Sequence, residues 1–157
     1  IPHRQLSKFA DYLESVLVTL WVGGLWAIGY LAAPLLFATI PDRVLAGAVA
    51  GRLFAGIAWT GIACGTALLA LRVFRLRGVA GDRQSWVIGA MLALALAGHF
   101  GVQPVLQRLK DEVAPAPVME SRNREAFGRW HAVSSSVYLV ESLLGLALVV
   151  LRGRRVS

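Results

Sequence analysis

Apolar positions in this chain fall into four long, unbroken runs, approximately Leu13 to Phe37, Leu45 to Leu71, Trp86 to Leu106 and Trp130 to Leu151. Each run reaches the ~20 residues that a helix needs to cross a hydrocarbon core of ~30 Å. Continuous runs require helices, because barrel strands alternate apolar and polar positions and lipid does not tolerate unpaired backbone groups. Breakers separate the runs: Pro41-Asp42 after the first, Arg75 to Arg83 with Gly78 and Gly81 after the second, and the Pro115/Pro117 segment after the third. Short links imply neighbours that run in opposite directions. The predicted fold class is therefore an all-α integral membrane protein, an antiparallel four-helix transmembrane bundle, with residues 1–157 forming a single transmembrane domain. The link 107–128 mixes Arg108, Lys110, Arg122 and Arg124 with Asp111, Glu112, Glu120 and Glu125, which predicts a solvated, partly helical segment.

Composition agrees: 57% of the residues are hydrophobic and 16% charged, against ~25% charged in soluble domains. A net charge of +7 would suit nucleic acid, but the 16 Lys and Arg residues lie mostly in the links. No zinc-finger spacing, aromatic RNA-binding box or continuous basic helix accompanies them, so nucleic acid is excluded as a partner. The expected partner is the lipid bilayer, with a homodimer or a membrane-protein partner as the further candidates. With four spans both termini share a side, which collects nine basic residues (Arg4, Lys8, Arg72, Arg75, Arg77, Arg83, Arg152, Arg154 and Arg155) against seven opposite. The excess places both termini in the cytoplasm of a multi-pass protein of a bacterial cytoplasmic (inner) membrane. The first run has full spanning length and reads as a span, not as a cleaved signal. Cys64 is the one cysteine, inside an apolar run, and reads as core filler.

Helices in lipid gain little from hydrophobicity and pack through small residues instead. Gly47/Gly51 and Gly61/Gly65 are spaced by four on the second run, and Gly23, Gly24 and Gly29 mark the first. Packing within the bundle and dimerisation are both open to them. Trp86 and Trp130 stand at span starts, where interface anchors belong.

Ionisable groups at membrane depth cost about 2.5 to 3.5 kcal/mol on insertion scales, which singles out Glu141, His99, Glu14, Arg52 and His131. Glu141 is deepest, roughly 16 Å along the helix from Trp130 by helical rise. His131, Ser134, Ser135, Tyr138, Glu141 and Ser142 recur every three or four residues, so they form one polar face that is expected to look inward. Two readings compete. In one, the serines bond back to their own helix carbonyls and Tyr138 bonds to Glu141; in the other, the face is a polar path or ligand site from His131 to Glu141. On the third run His99 and Gln103 share a face one turn apart, followed by Pro104, which removes a backbone hydrogen bond from that turn. His99 and His131, with Glu141, are the candidate ligands for a transition metal, and the two histidines are candidate ligands for haem b. Gln103, Ser134, Tyr138 and Glu141 complete the expected polar core. Glu14, near the start of the first run, either stays wet or bonds to a neighbouring helix. Arg52 either snorkels to the headgroups or meets Asp42. No phosphate-binding glycine loop, nucleophile elbow or metalloprotease helix is present, and no catalytic residue is assigned.

The chain resembles the transmembrane protein 205-like family, domain of unknown function 4149. The likeness rests on Trp21-Val22-Gly23-Gly24 leading to Gly29-Tyr30 and Pro34, on Ala46-Gly47 through Arg52-Leu53-Phe54, and on Arg124, Phe127, His131 and Ser134. It implies a small multispanning membrane protein without an established activity; a eukaryotic relative is associated with platinum-drug resistance, which points to metal or solute handling. The first run is also similar to the first helix of copper-resistance D and HemJ-type proteins, in which a histidine precedes Trp-Val-Gly-Gly by about two turns. Glu14 stands at that position here, which removes a haem ligand. The sequence thus leads to a non-enzymatic membrane protein that handles a small solute or metal ion or scaffolds a membrane complex; the alternative is a haem- or copper-associated redox protein.

Overall fold

The computed structural model describes residues 2–75 and 80–156, with side chains from 7 to 75 and from 80 to 154. Gly78 and Arg77 of the second link, and the side chains of Arg4 and Arg155, lie outside the described residues. Among the described residues the fold is all-helical. Four helices are long and apolar enough to cross a membrane: α1 (Ser7–Thr39), α2 (Arg43–Arg75), α3 (Arg83–Asp111) and α4 (Arg124–Arg154). They overrun the apolar runs at both ends, because Arg, Lys, Glu and Gln are strong helix formers and carry the helix past the apolar segment. Of the link 107–128, its first part completes α3, Val118–Glu120 is a 3-10 turn, and α4 begins at Arg124.

The ends have local causes. Ile40 turns extended (φ −93°, ψ 112°), as a residue before proline must, and the Asp42 carboxylate then accepts the amides of Val44 (2.9 Å) and Leu45 (3.1 Å) to start α2. Asp82 caps α3 in the same way, accepting the Ser85 amide at 3.0 Å. Asn123 ties the start of α4 to the end of α3, donating to the Leu109 carbonyl at 2.9 Å and to Glu112 at 3.0 Å.

α1 and α3 each contain one π-helical stretch, Ile28–Ala32 and Ala97–Val102. Both stand just before a proline, Pro34 and Pro104. A proline ring strikes the carbonyl four residues back and supplies no N–H; those carbonyls belong to Tyr30 and Phe100, inside the π turns. Widening the helix there lets the chain accept proline without breaking, and the Ala33 and Gln103 amides bond five residues back, to Ile28 and Gly98.

Consecutive helices pack on one another, and α4 also touches α1. Buried positions follow helical spacing: Val18, Trp21, Val22 and Leu25 on α1, Ile57, Cys64 and Leu68 on α2, Ile88 and Met91 on α3, and Leu148 on α4. Trp21, fully buried, is the largest of them. It lies against Gly61 and Gly65, whose missing side chains make its seat. Of the two glycine pairs on α2, this one packs internally; Gly47 and Gly51 have nothing within 4 Å of where a side chain would start.

Candidate functional site

Glu141 lies midway along α4 and is 5% exposed. Among the described residues its carboxylate accepts one hydrogen bond, from Trp21 Nε1 at 3.3 Å. Trp21 of α1 is thus the partner of the deepest carboxylate. Tyr138 does not bond to Glu141. Its hydroxyl donates to the Leu25 carbonyl at 2.5 Å, because long side chains on a helix lean back over the preceding turn, which carries the phenol away from Glu141 and toward the π turn of α1. The ring packs edge-on against Phe54 and Tyr30, at centroid distances of 5.2 and 6.2 Å. Trp26 stacks obliquely on Tyr30 at 5.0 Å and donates to the Ser142 carbonyl at 3.3 Å. Two tryptophans and one tyrosine thus fasten α1 to α4 through polar atoms.

The polar face of α4 turns inward only in part. Glu141 and Ser142 are buried, Tyr138 and Ser134 half-buried, and His131 and Ser135 exposed. The first turns of α4 pack mainly on the end of α3 and the Val118–Glu120 turn, so the side away from them has no helix to face. Of the serines on that face, Ser142 returns to its own helix, donating to the Tyr138 carbonyl (2.7 Å); Ser136, off that face, donates likewise to Ala132 (2.8 Å).

His99 and His131 are not brought together. His99 packs edge-on between Trp59 (5.0 Å) and Phe100 (4.9 Å), and its buried Nδ1 has no hydrogen-bond partner. His131 stacks on Phe127 at 5.7 Å. Gln103 is half-buried and bonds no other described side chain. No group of three or more His, Cys, Asp or Glu side chains converges on a metal-sized site among the described residues.

A second polar centre was missed from the sequence. At the end of the bundle where α2 gives way to α3, Arg72 is 4% exposed and bonds three partners: Glu14 of α1 at 3.2 Å, Asp82 at 2.5 Å, and Gln84 of α3. Glu14, itself buried, also accepts from Arg75 at 3.1 Å and from Arg152 of α4 at 2.8 Å. Arg75 reaches Asp11 at 2.8 Å, and Gln84 donates to the Leu151 carbonyl at 3.0 Å. Three arginines and three carboxylates therefore bind all four helices at one end. Burial pushes the Asp82 carboxyl up, but the Ser85 hydroxyl and amide and the Arg72 guanidinium outweigh it and hold it at about 2. The expectation for Glu14 resolves to its second branch, a bond to neighbouring helices. By sequence alone Arg72 counts among the basic residues at the ends of the spans. Helical spacing carries the signal that places it inside: 57, 61, 64, 68 and 72 form one stripe on α2, as do 14, 18, 21 and 25 on α1.

Residues 16–115, well over half the chain, match the family model described as Domain of unknown function (DUF4149). The chain belongs to the DUF4149 family. The matched stretch takes in Trp21, Arg72, Asp82 and His99 and ends before α4, so Glu141, Tyr138 and His131 lie beyond the DUF4149 match. No curated protein and no solved structure matches the chain significantly.

Proposed function

We propose that this DUF4149 member is a non-enzymatic inner-membrane protein, an antiparallel bundle with both termini in the cytoplasm, which handles a small solute or metal ion through the carboxyl group of Glu141. The antiparallel reading is supported by the pairing of Glu14 with Arg72 near one end of α1 and α2 and the approach of Ile57 to Gly24 further along. The membrane reading is supported by four spanning-length apolar helices whose outward faces carry Leu, Val, Phe and Trp.

The observation that carries the functional reading is the state of Glu141: a buried carboxyl in the middle of a spanning helix with a single long hydrogen bond. A carboxylate offers about four lone-pair sites, and leaving them unmet in an apolar interior is costly. A proton or a bound cation meets that need, so exchange of one for the other is the chemistry this position supports. The ionic cluster of Arg72, Glu14, Asp82 and Arg152 closes the cytoplasmic end, while the exposed His131 and Ser135 lie toward the other.

In proteoliposomes, Glu141→Gln is expected to abolish proton-linked movement of a small solute or metal ion while insertion stays intact. Unchanged flux across a panel of metal ions and small organic solutes would overturn the reading. The unpartnered Nδ1 of His99 favours a second reading, a haem- or copper-associated redox protein; it requires a Soret or copper absorption band that His99→Ala removes.

A further inference from the structure

Arg52 has no hydrogen bond or ion pair to any described residue, and its side chain is exposed. Asp42, its one expected partner, spends a carboxylate oxygen on the Val44 and Leu45 amides instead. Arg52 stands nine residues into α2, about 13 Å by helical rise. In a helix of 33 residues centred on a ~30 Å core, that depth is a few ångströms inside the hydrocarbon, within reach of the phosphate layer for a long side chain.

A groove of about 370 Å³ starts at Arg52 and runs between α1 and α2. Leu20, Gly24 and Ile28 of α1 line one wall, and Arg52, Gly56 and Thr60 of α2 the other. Its surface is almost wholly apolar; Gly56, where a Cβ would meet nothing within 4 Å, keeps it open, while Gly24 lets the Ile57 side chain pack close between α1 and α2. From Arg52 to Thr60 the groove covers eight residues of α2, about 12 Å toward the middle of the helix.

We propose that this groove is a binding site for one anionic phospholipid, whose phosphate pairs with the Arg52 guanidinium and whose acyl chain lies along Gly56 and Gly24 toward Thr60. Charge complementarity selects the occupant. An arginine left alone at this depth is costly, and a phosphate diester is the partner that a planar guanidinium binds in two-pronged fashion. An apolar slot leading from that charge toward the centre of the bilayer fits an acyl chain and not a soluble anion. The site rests on the membrane-spanning reading and is independent of solute handling at Glu141.

Native mass spectrometry of the detergent-purified protein tests it, with dioleoyl phosphatidylglycerol, dioleoyl phosphatidylcholine and inorganic phosphate as probes. The wild type is expected to retain one phosphatidylglycerol at least tenfold better than phosphatidylcholine, and no inorganic phosphate. Arg52→Gln is expected to erase that preference. Gly56→Leu, at a position where an added Cβ meets nothing within 4 Å, is expected to lower retention of both lipids without changing the unfolding temperature. Equal retention of phosphatidylglycerol by wild type and Arg52→Gln overturns the proposal. So does binding of inorganic phosphate at the same level, or a disulfide-linked dimer formed through Gly56→Cys in membranes, which would make a second copy the occupant. Carbonate extraction of each variant reports on membrane insertion separately, so loss of the lipid site is distinguished from failure of the membrane reading.

Discussion

Trp21 Nε1 and the Glu141 carboxylate meet at 3.3 Å across 120 residues of sequence, joining a fully buried indole on α1 to the deepest carboxyl of α4. The indole is in turn seated on Gly61 and Gly65 of α2, so one side chain links three helices and, among the described residues, supplies the sole donor to the candidate centre.

Trp21→Phe keeps most of the ring's bulk and removes that donor. A buried acceptor left without its partner costs about 1 to 3 kcal/mol, so the variant is expected to unfold at a lower temperature than wild type. In the Glu141→Leu background, where no acceptor remains, the same change is expected to cost less, because the two residues share one interaction. A double-mutant cycle by thermal unfolding in detergent checks this; additive losses would show that the bond contributes nothing.

Gly65→Ala places a methyl 2.8 and 2.9 Å from the Trp21 ring and 3.3 Å from Leu92. Overpacking of this kind costs about 1 to 3 kcal/mol. Gly51→Ala, where the new methyl meets nothing within 4 Å, is expected to be neutral or slightly stabilising, since alanine is the better helix former. Thermal scans of the pair separate packing from propensity.

Arg72→Met removes the guanidinium that Glu14, Asp82 and Gln84 share. Breaking a buried ion pair from one side costs up to about 3 to 5 kcal/mol when the other charge is left alone; Glu14 keeps Arg75 and Arg152 and Asp82 keeps Ser85, so the loss is expected to fall below that range. Arg72→Lys is expected to recover only part of the loss, since one ammonium does not reproduce the guanidinium fork that spans α1 and α3. Denaturation in mild detergent, with limited proteolysis of the α2–α3 link, is the measurement; wild-type stability in both variants would mean that the cluster holds nothing together.

Asp82 gives a pH signature. Its carboxyl is held at about 2 in the fold and titrates near ~3.9 when unfolded. Because the folded value is the lower, the stabilisation is fully present above about 4 and is lost as the pH falls through about 2. The difference amounts to at most about 3 kcal/mol. The unfolding midpoint is expected to stay level from neutral pH to about 5 and then to fall, more shallowly in Asp82→Asn. An identical acid limb in the variant would remove Asp82 as its source.

Tyr138→Phe deletes the proton given to the Leu25 carbonyl. The loss is expected to be about 1 kcal/mol and to appear as faster amide exchange around Ile28–Ala32, with the rest of α1 unchanged. Uniform loosening of α1 would argue against a local role.

Local rules in the sequence determined the number of helices, their order and their breaks, because spanning length, proline and aspartate act over a few residues. Helical spacing likewise brought out Glu141 and the α4 stripe, and marked Cys64 as core. What touches what was beyond those rules. The partner of Glu141 lies on α1, that of Tyr138 is a backbone carbonyl beside a π turn, and Arg72 reads as a loop charge until Glu14, Asp82 and Gln84 close around it. Spacing along one helix states which face a residue occupies. Only the packing of helices distant in sequence decides whether that face meets a glycine, a carboxylate or lipid, and here it set His99 and His131 in separate surroundings while drawing Trp21 onto Glu141.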